Sequence, residues 1–292
     1  MATLGLISPQ TYNQDTTLRR LIGVTPYGVQ RGAPRHTAQV IKGVVPGISE
    51  NDTVLIWNGS IMEWFDVATV IRAMAEIAEV RDDVKVFFLG IEHPDFVTGM
   101  LFDPPRDAVE LSKELGLHNK TVFFHDEWVP YAEIGSYLVE ADIGVCAGFD
   151  SMETRYAFRT RFVDLFWAEL PIVCTRGDVL AERVERDKLG VVVDPGDVEA
   201  FAAGILRLVE DKTFYKTCQA NASAVKADLS WERVLAPLVA FCRADSSIAS
   251  TKRQRFPLLL VHNAIACLTL ATRAIEYAAT NIRQRLAARQ SS

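Results

Sequence analysis

The stretch METRYAFRTRFVDLFWAELPIV, Met152–Val173, gathers groups that bind and orient other molecules. Glu153, Arg159, Thr160, Arg161 and Asp164 fall within twelve residues, just ahead of the strand-like PIV. Spacing predicts that Arg159, Thr160 and Arg161 stand at the start of a helix and Asp164 one turn inside it. Thr160 and Asp164 then share a face. Free N–H groups and the macrodipole already favour anions at such a start. Two arginines there need an anion, or the acids Glu153 and Asp164, to neutralise them. Phosphate is the natural anion, and a carboxylate slightly deeper on the same face suits the paired hydroxyls of a ribose. The alternative from residue chemistry is plainer: Arg161–Asp164 is a surface ion pair and Glu153 a loop acid.

The elements that must position these groups are legible as alternation. Apolar runs occur at Thr53–Trp57, Val84–Gly90, Thr121–His125, Asp142–Gly148, Pro171–Thr175 and Gly190–Asp194. They are apolar throughout, which predicts strands covered on both faces. Between and after them, helical patterns fall near Asp66–Val80, Arg106–Leu115, Tyr131–Glu140, Thr160–Ala168, Asp178–Lys188, Asp197–Val209, Phe214–Lys226 and Trp231–Cys242. Strand–helix repetition of this kind predicts an α/β fold, a Rossmann-like doubly wound parallel sheet. Ligands of such sheets bind beyond the carboxyl ends of the strands. That rule singles out Asn58-Gly59-Ser60, Gly90 to His93, Asp126 to Val129, the opening stretch, and Arg176-Gly177-Asp178. Gly59 and Ser60 are candidates to cradle a diphosphate through the main chain, with a simple turn as the alternative. The loop carries no GxGxxG, which counts against a dinucleotide enzyme.

Bulk properties set the outer limits. The chain has 292 residues, 49% hydrophobic, and a net charge of −6, so the total gives a nucleic-acid role no support. Charge is uneven: Thr251–Ser292 holds seven Lys/Arg against one Glu, and the rest of the chain is correspondingly acidic. Five scattered cysteines without a CxxC read as free thiols in a reducing cytoplasm. The five histidines show no metal-ligand spacing, so no metal is expected. His93 and His125 stand at strand ends, where a satisfied structural role competes with lining the cleft.

The loop order, with "VLIWNGSI", "VFFHDEWVP", "YLVEADIGV", "FRTRFVDLFWAELPIVCTRGD" and "GVVVDPGDVEAFAAGI", resembles the C-terminal, donor-binding domain of GT-B retaining glycosyltransferases of group 1, over about Leu21–Ala244. The resemblance implies a nucleotide-diphosphate sugar as donor substrate and no further cofactor or metal. It implies that Glu153 orients the transferred sugar and that Asp164, in a place normally held by Glu, binds the nucleotide ribose. Asn58, Gly59 and Ser60 match the glycine loop under the diphosphate, and Trp128 and Val129 pack near the base. The chain departs from the pattern in three places. The loop after the first strand lacks the usual Arg and Lys, for which Arg159 and Arg161 are the substitutes. The two acids are farther apart. Glu169 stands where a glycine normally precedes "LPIV".

The resemblance also implies an enzyme of two Rossmann-like domains, whereas only about forty residues precede the donor domain here. The expected organisation is an N-terminal tail and interdomain remnant at 1–39, the donor domain at 40–245, and a linker with a basic amphipathic helix at 246–292. That helix places Leu258, Val261, Ile265, Leu268, Ile275, Ile282 and Leu286 at steps of three, four and seven. Its expected partners are a separate acceptor-binding domain, a second copy of the chain, or an anionic membrane on the cytoplasmic face. The expected activity is hexosyl transfer to a glycan or cell-envelope acceptor. A truncated nucleotide-sugar binding or scaffold protein is the alternative, and a sugar-nucleotide epimerase the third.

Overall fold

The structure, a computed structural model, describes residues 9–19, 22–91 and 103–243. His93 and the predicted C-terminal helix lie outside them. Residues Pro26–Leu235 form one compact unit. A second unit, Met1–Thr25 with Ala236–Ser292, contains helices α1 (Pro9–Gln14) and α11 (Ala236–Arg243) among its described residues. No helix among the described residues is long and apolar enough to cross a membrane.

The core of the larger unit is a six-stranded sheet: β1 (Thr53–Asn58), β2 (Val84–Leu89), β3 (Val122–His125), β4 (Ile143–Cys146), β5 (Ile172–Thr175) and β6 (Gly190–Val193). The order is β3-β2-β1-β4-β5-β6, and every pairing is parallel. The apolar runs become strands because both faces are covered: Val54 to Trp57 and Val84 to Leu89 are buried without interruption. The helices between are α2 (Val67–Ala78), α3 (Pro104–Glu114), α4 (Ile134–Glu140), α5 (Met152–Tyr156), α6 (Arg161–Trp167), α7 (Val179–Arg186), α8 (Val198–Glu210), α9 (Lys212–Asp228) and α10 (Trp231–Val234). Five of them start on an aspartate whose carboxylate takes backbone N–H groups of the first turn: Asp66, Asp103, Asp178, Asp197 and Asp211. Such a cap stabilises a helix start by about 1 kcal/mol.

Two features differ from the sequence reading. The final predicted helix, Trp231–Cys242, is two helices, α10 and α11, parted at Leu235. The opening stretch carries two helices rather than one, because Ser151 caps the short α5 through Thr154 N–H (3.1 Å). The segment just before β1 is tied to the sheet unit by Glu140, whose carboxylate accepts from the amides of Val40, Ile41 and Lys42 (2.9, 2.7 and 2.8 Å) and pairs with His36 Nε2 (2.8 Å). Burial pushes that carboxyl up, but these donors outweigh it and hold it below the usual range.

The helix that carries Asp164 is fixed at both of its sides. At Gly144 of β4 an added Cβ would lie 2.6 Å from Leu165 Cδ1, so only glycine lets α6 settle this close to the sheet. Its C-terminus closes as a Schellman turn, with Leu170 N–H on Leu165 O (3.0 Å) and Glu169 N–H on Phe166 O (3.1 Å). Glu169 therefore takes a left-handed conformation (φ +57°), the reason a glycine is usual at this point.

Candidate functional site

In this strand order the connections from β1 and β4 run in opposite directions, which opens a crevice at their carboxyl ends. A cavity of about 270 Å³ lies there. Eight predicted residues line it: Asn58 at the end of β1 with Gly59 and Ser60 just after it, Trp128 and Val129 after β3, and Thr160, Arg161 and Asp164 at α6. The walls also include Gly90, Tyr131 and Ile134. Glu153 and Arg159 lie outside the lining and are joined to each other: Arg159 Nη2 donates to Glu153 Oε2 (2.6 Å) and Thr154 Oγ1 (3.1 Å). Arg159 is buried by this and by Phe65, whose ring centroid is 4.6 Å away, while Glu153 remains exposed.

Arg161 is held in a way the sequence did not suggest. Its guanidinium stacks over Phe65 (3.9 Å to the centroid) and Trp57 (4.6 Å), and Nη2 donates to Ser60 O (3.1 Å). Ring faces carry negative potential and hold a cation without a carboxylate. Burial pulls its pKa down to about 10, so the group stays charged at neutral pH. Nη1 is buried without a hydrogen-bond partner among the described residues. The surface ion pair with Asp164 is not what forms.

Asp164 is the acid of the cavity. Tyr131 Oη donates to its Oδ1 (3.2 Å), and Asn58 Nδ2 approaches Oδ2 (3.5 Å) while donating to Arg161 O (3.2 Å). Both partners of Nδ2 are acceptors, which fixes the orientation of the Asn58 amide. It leaves Asn58 Oδ1 buried without a hydrogen-bond partner among the described residues. Burial raises the Asp164 pKa to about 6, against the pull of these donors and Arg161. The carboxylate is thus desolvated, which strengthens any charge-assisted bond it accepts from a ligand.

The Gly59 loop has one property that redistributes its expected work. Gly59 is at φ +112°, where a side chain is strained, but its N–H is used by Leu89 O (2.9 Å). Ile61 N–H likewise goes to Ile91 O (3.1 Å). Contact between this loop and an anion therefore falls to Ser60. His125, at the end of β3, is satisfied structurally: Nδ1 meets Glu127 O (2.9 Å), and the ring packs on Phe87 and Tyr137. Among the described residues no cluster of His, Cys, Asp or Glu is arranged to hold a metal.

The model of the family described as glycosyl transferases group 1 matches residues 52–211. The chain belongs to the group 1 glycosyltransferases. The match takes in every residue of the cavity named above. Solved structures share the fold. The C-terminal domain of the group 1 protein LpcC from Francisella tularensis is 19% identical (TM-score 0.51), with 63% of this chain and 86% of that one covered. HepE from Anabaena, solved with UDP-glucose, is 18% identical (TM-score 0.56), over 67% and 50%. Sucrose-phosphate synthase from Thermosynechococcus elongatus is 20% identical (TM-score 0.58), over 81% and 56%. This group 1 chain thus spans about half the length of the last two. No curated protein matches.

Tyr131, Trp57 and Phe65 are the neighbours of Asp164 and Arg161 that sequence reasoning missed. Tyr131 was legible only as the first residue of a predicted helix, although it follows Pro130 in the loop after β3, one of the loops the fold rule singles out. Trp57 and Phe65 lie about a hundred residues from Arg161, and no local pattern joins them.

Proposed function

We propose that this cavity binds a nucleoside diphosphate sugar and that the chain is the donor half of a hexosyltransferase acting, with retention, on a glycan or cell-envelope acceptor. The observation that carries the reading is the desolvated Asp164 carboxylate set into the wall of a cavity at the sheet's switch point, opposite Trp128 and Tyr131. A ribose diol gives such a carboxylate two donors, the exposed Trp128 ring offers a face to a base, and Ser60 and the Arg161 cation stand on the diphosphate side. In transfer, charge grows on the departing diphosphate as the acceptor oxygen attacks from the same face, and a fixed cation stabilises that charge. HepE, with the same fold, has been solved with UDP-glucose and with UDP.

Calorimetry against UDP, GDP, ADP and their hexose conjugates tests the reading. At least one is expected to bind in the micromolar range, and Asp164→Ala is expected to weaken it at least ten-fold. Failure of all of them to bind or to raise the melting temperature would overturn it. A second reading, binding without transfer, is favoured by one observation: Glu153 and Arg159 neutralise each other outside the cavity. Sugar release or transfer measured with the donor that binds separates the two.

A further inference from the structure

We propose that Tyr131 is a gate on this site: its hydroxyl occupies the face of the Asp164 carboxylate that a ligand's hydroxyls need, so binding displaces it. The inference rests on the donor-site reading above and goes beyond it by assigning a residue that opposes binding.

Three observations carry it. Among the described residues Asp164 has two protein donors, one on each carboxylate oxygen. Asn58 is buried at the end of β1, where its Nδ2 approaches Oδ2 at 3.5 Å and is shared with Arg161 O. Tyr131 is about half exposed, lines the cavity, and reaches Oδ1 from the ligand side. The Gln30 side chain, in the segment before β1, neighbours the hydroxyl on its other side. Burial and the neighbouring carboxylate push the Tyr131 pKa up to about 12, so the phenol keeps its proton and can only donate to Asp164 at neutral pH. Finally, the Tyr131 ring is part of the wall of the cavity of about 270 Å³, so its movement away from Asp164 changes the space a ligand enters.

The energetic consequence is a fixed toll on every ligand that donates to Asp164. A ribose first breaks the Tyr131 bond and then makes its own. A nucleotide that offers Asp164 no hydroxyl leaves the bond intact. Tyr131→Phe keeps the ring and removes only this toll, so ligands separate by whether they carry the diol.

The experiment is calorimetry of the full chain, wild type and Tyr131→Phe, with the nucleoside diphosphate that binds wild type best and with its 2′,3′-dideoxy analogue. Loss of one hydrogen bond of this kind corresponds to about a five-fold change in affinity. Tyr131→Phe is expected to bind the ribonucleotide about five-fold tighter and the dideoxy analogue unchanged, with a melting temperature about 2–4 °C below wild type because the free protein loses the same bond. Weaker or unchanged ribonucleotide binding by Tyr131→Phe overturns the gate, as does an equal gain for the dideoxy analogue. If wild type binds ribonucleotides but the variant does not gain, the gate alone fails. If no nucleotide binds either protein, the donor-site reading fails and the gate with it.

Discussion

Replacing Asp164 by Asn should stabilise the protein while damaging its site. Burial raises the Asp164 pKa in the folded state to about 6, from the usual 3.8. At ~1.4 kcal/mol per unit, the ionised carboxylate costs the folded state up to about 3 kcal/mol at neutral pH. The sign follows from the direction of the shift. The folded state binds the proton more tightly than the unfolded chain, so the cost is absent below pH ~4, grows between ~4 and ~6, and is constant above. Asparagine removes the charge and keeps an acceptor for Tyr131, at a loss of about 1 kcal/mol because that bond is no longer charge-assisted. The net expectation is about 2 kcal/mol of added stability at pH 7.5, or roughly 4–8 °C in Tm for a domain of this size, and no stabilisation at pH 4. Scanning calorimetry of both proteins from pH 4 to 8 measures it. An Asp164→Asn protein less stable than wild type at pH 7.5, or a difference independent of pH, would refute the claim that Asp164 is desolvated and ionised in the fold.

The same carboxyl makes nucleotide affinity pH-dependent: the ionised form accepts the diol, so affinity should fall about ten-fold per unit below pH ~6 and level off above ~7, and a flat calorimetric profile from pH 5 to 8 would contradict it. Glu140 behaves with the opposite sign, because its pKa is depressed in the fold. Glu140→Ala leaves the amides of Val40, Ile41 and Lys42 without their acceptor and should cost about 3 kcal/mol at pH 7 by urea unfolding, with the loss shrinking as the pH falls below ~4. Glu169→Gly relieves the left-handed strain at the end of α6 at the expense of the Lys226 ion pair (3.1 Å), for a net gain of about 0.5–1 kcal/mol in the same assay.

The sheet was legible because parallel strands covered on both faces cannot hide their composition: each of the six apolar runs is a strand, with ends within two residues of those expected. The cavity was legible by the same route, since strand ends fix which loops converge. What the sequence withheld is how charge is settled inside it. Arg161 finds two aromatic faces and a carbonyl rather than the acid three residues on, and those rings are distant in sequence. Arg159 takes Glu153 and turns away from the cavity, which required α5, a helix too short for periodicity to reveal. The Tyr131 bridge depends on a side-chain reach from a loop to helix α6, a quantity no spacing rule encodes. Glu169 was visible as a departure from a familiar pattern, and its backbone conformation explains the pattern itself.

The central claim is that Asp164 marks a nucleotide-sugar site, and a crystal structure of the protein with its best-binding nucleoside diphosphate tests it most directly. The account predicts ribose hydroxyls hydrogen-bonded to the Asp164 carboxylate, Tyr131 Oη withdrawn from it, the base against Trp128, and the diphosphate beside Ser60 and Arg161. A nucleotide seated elsewhere on the sheet edge, or one in this cavity with its ribose turned away from an Asp164 still bonded to Tyr131, would contradict it.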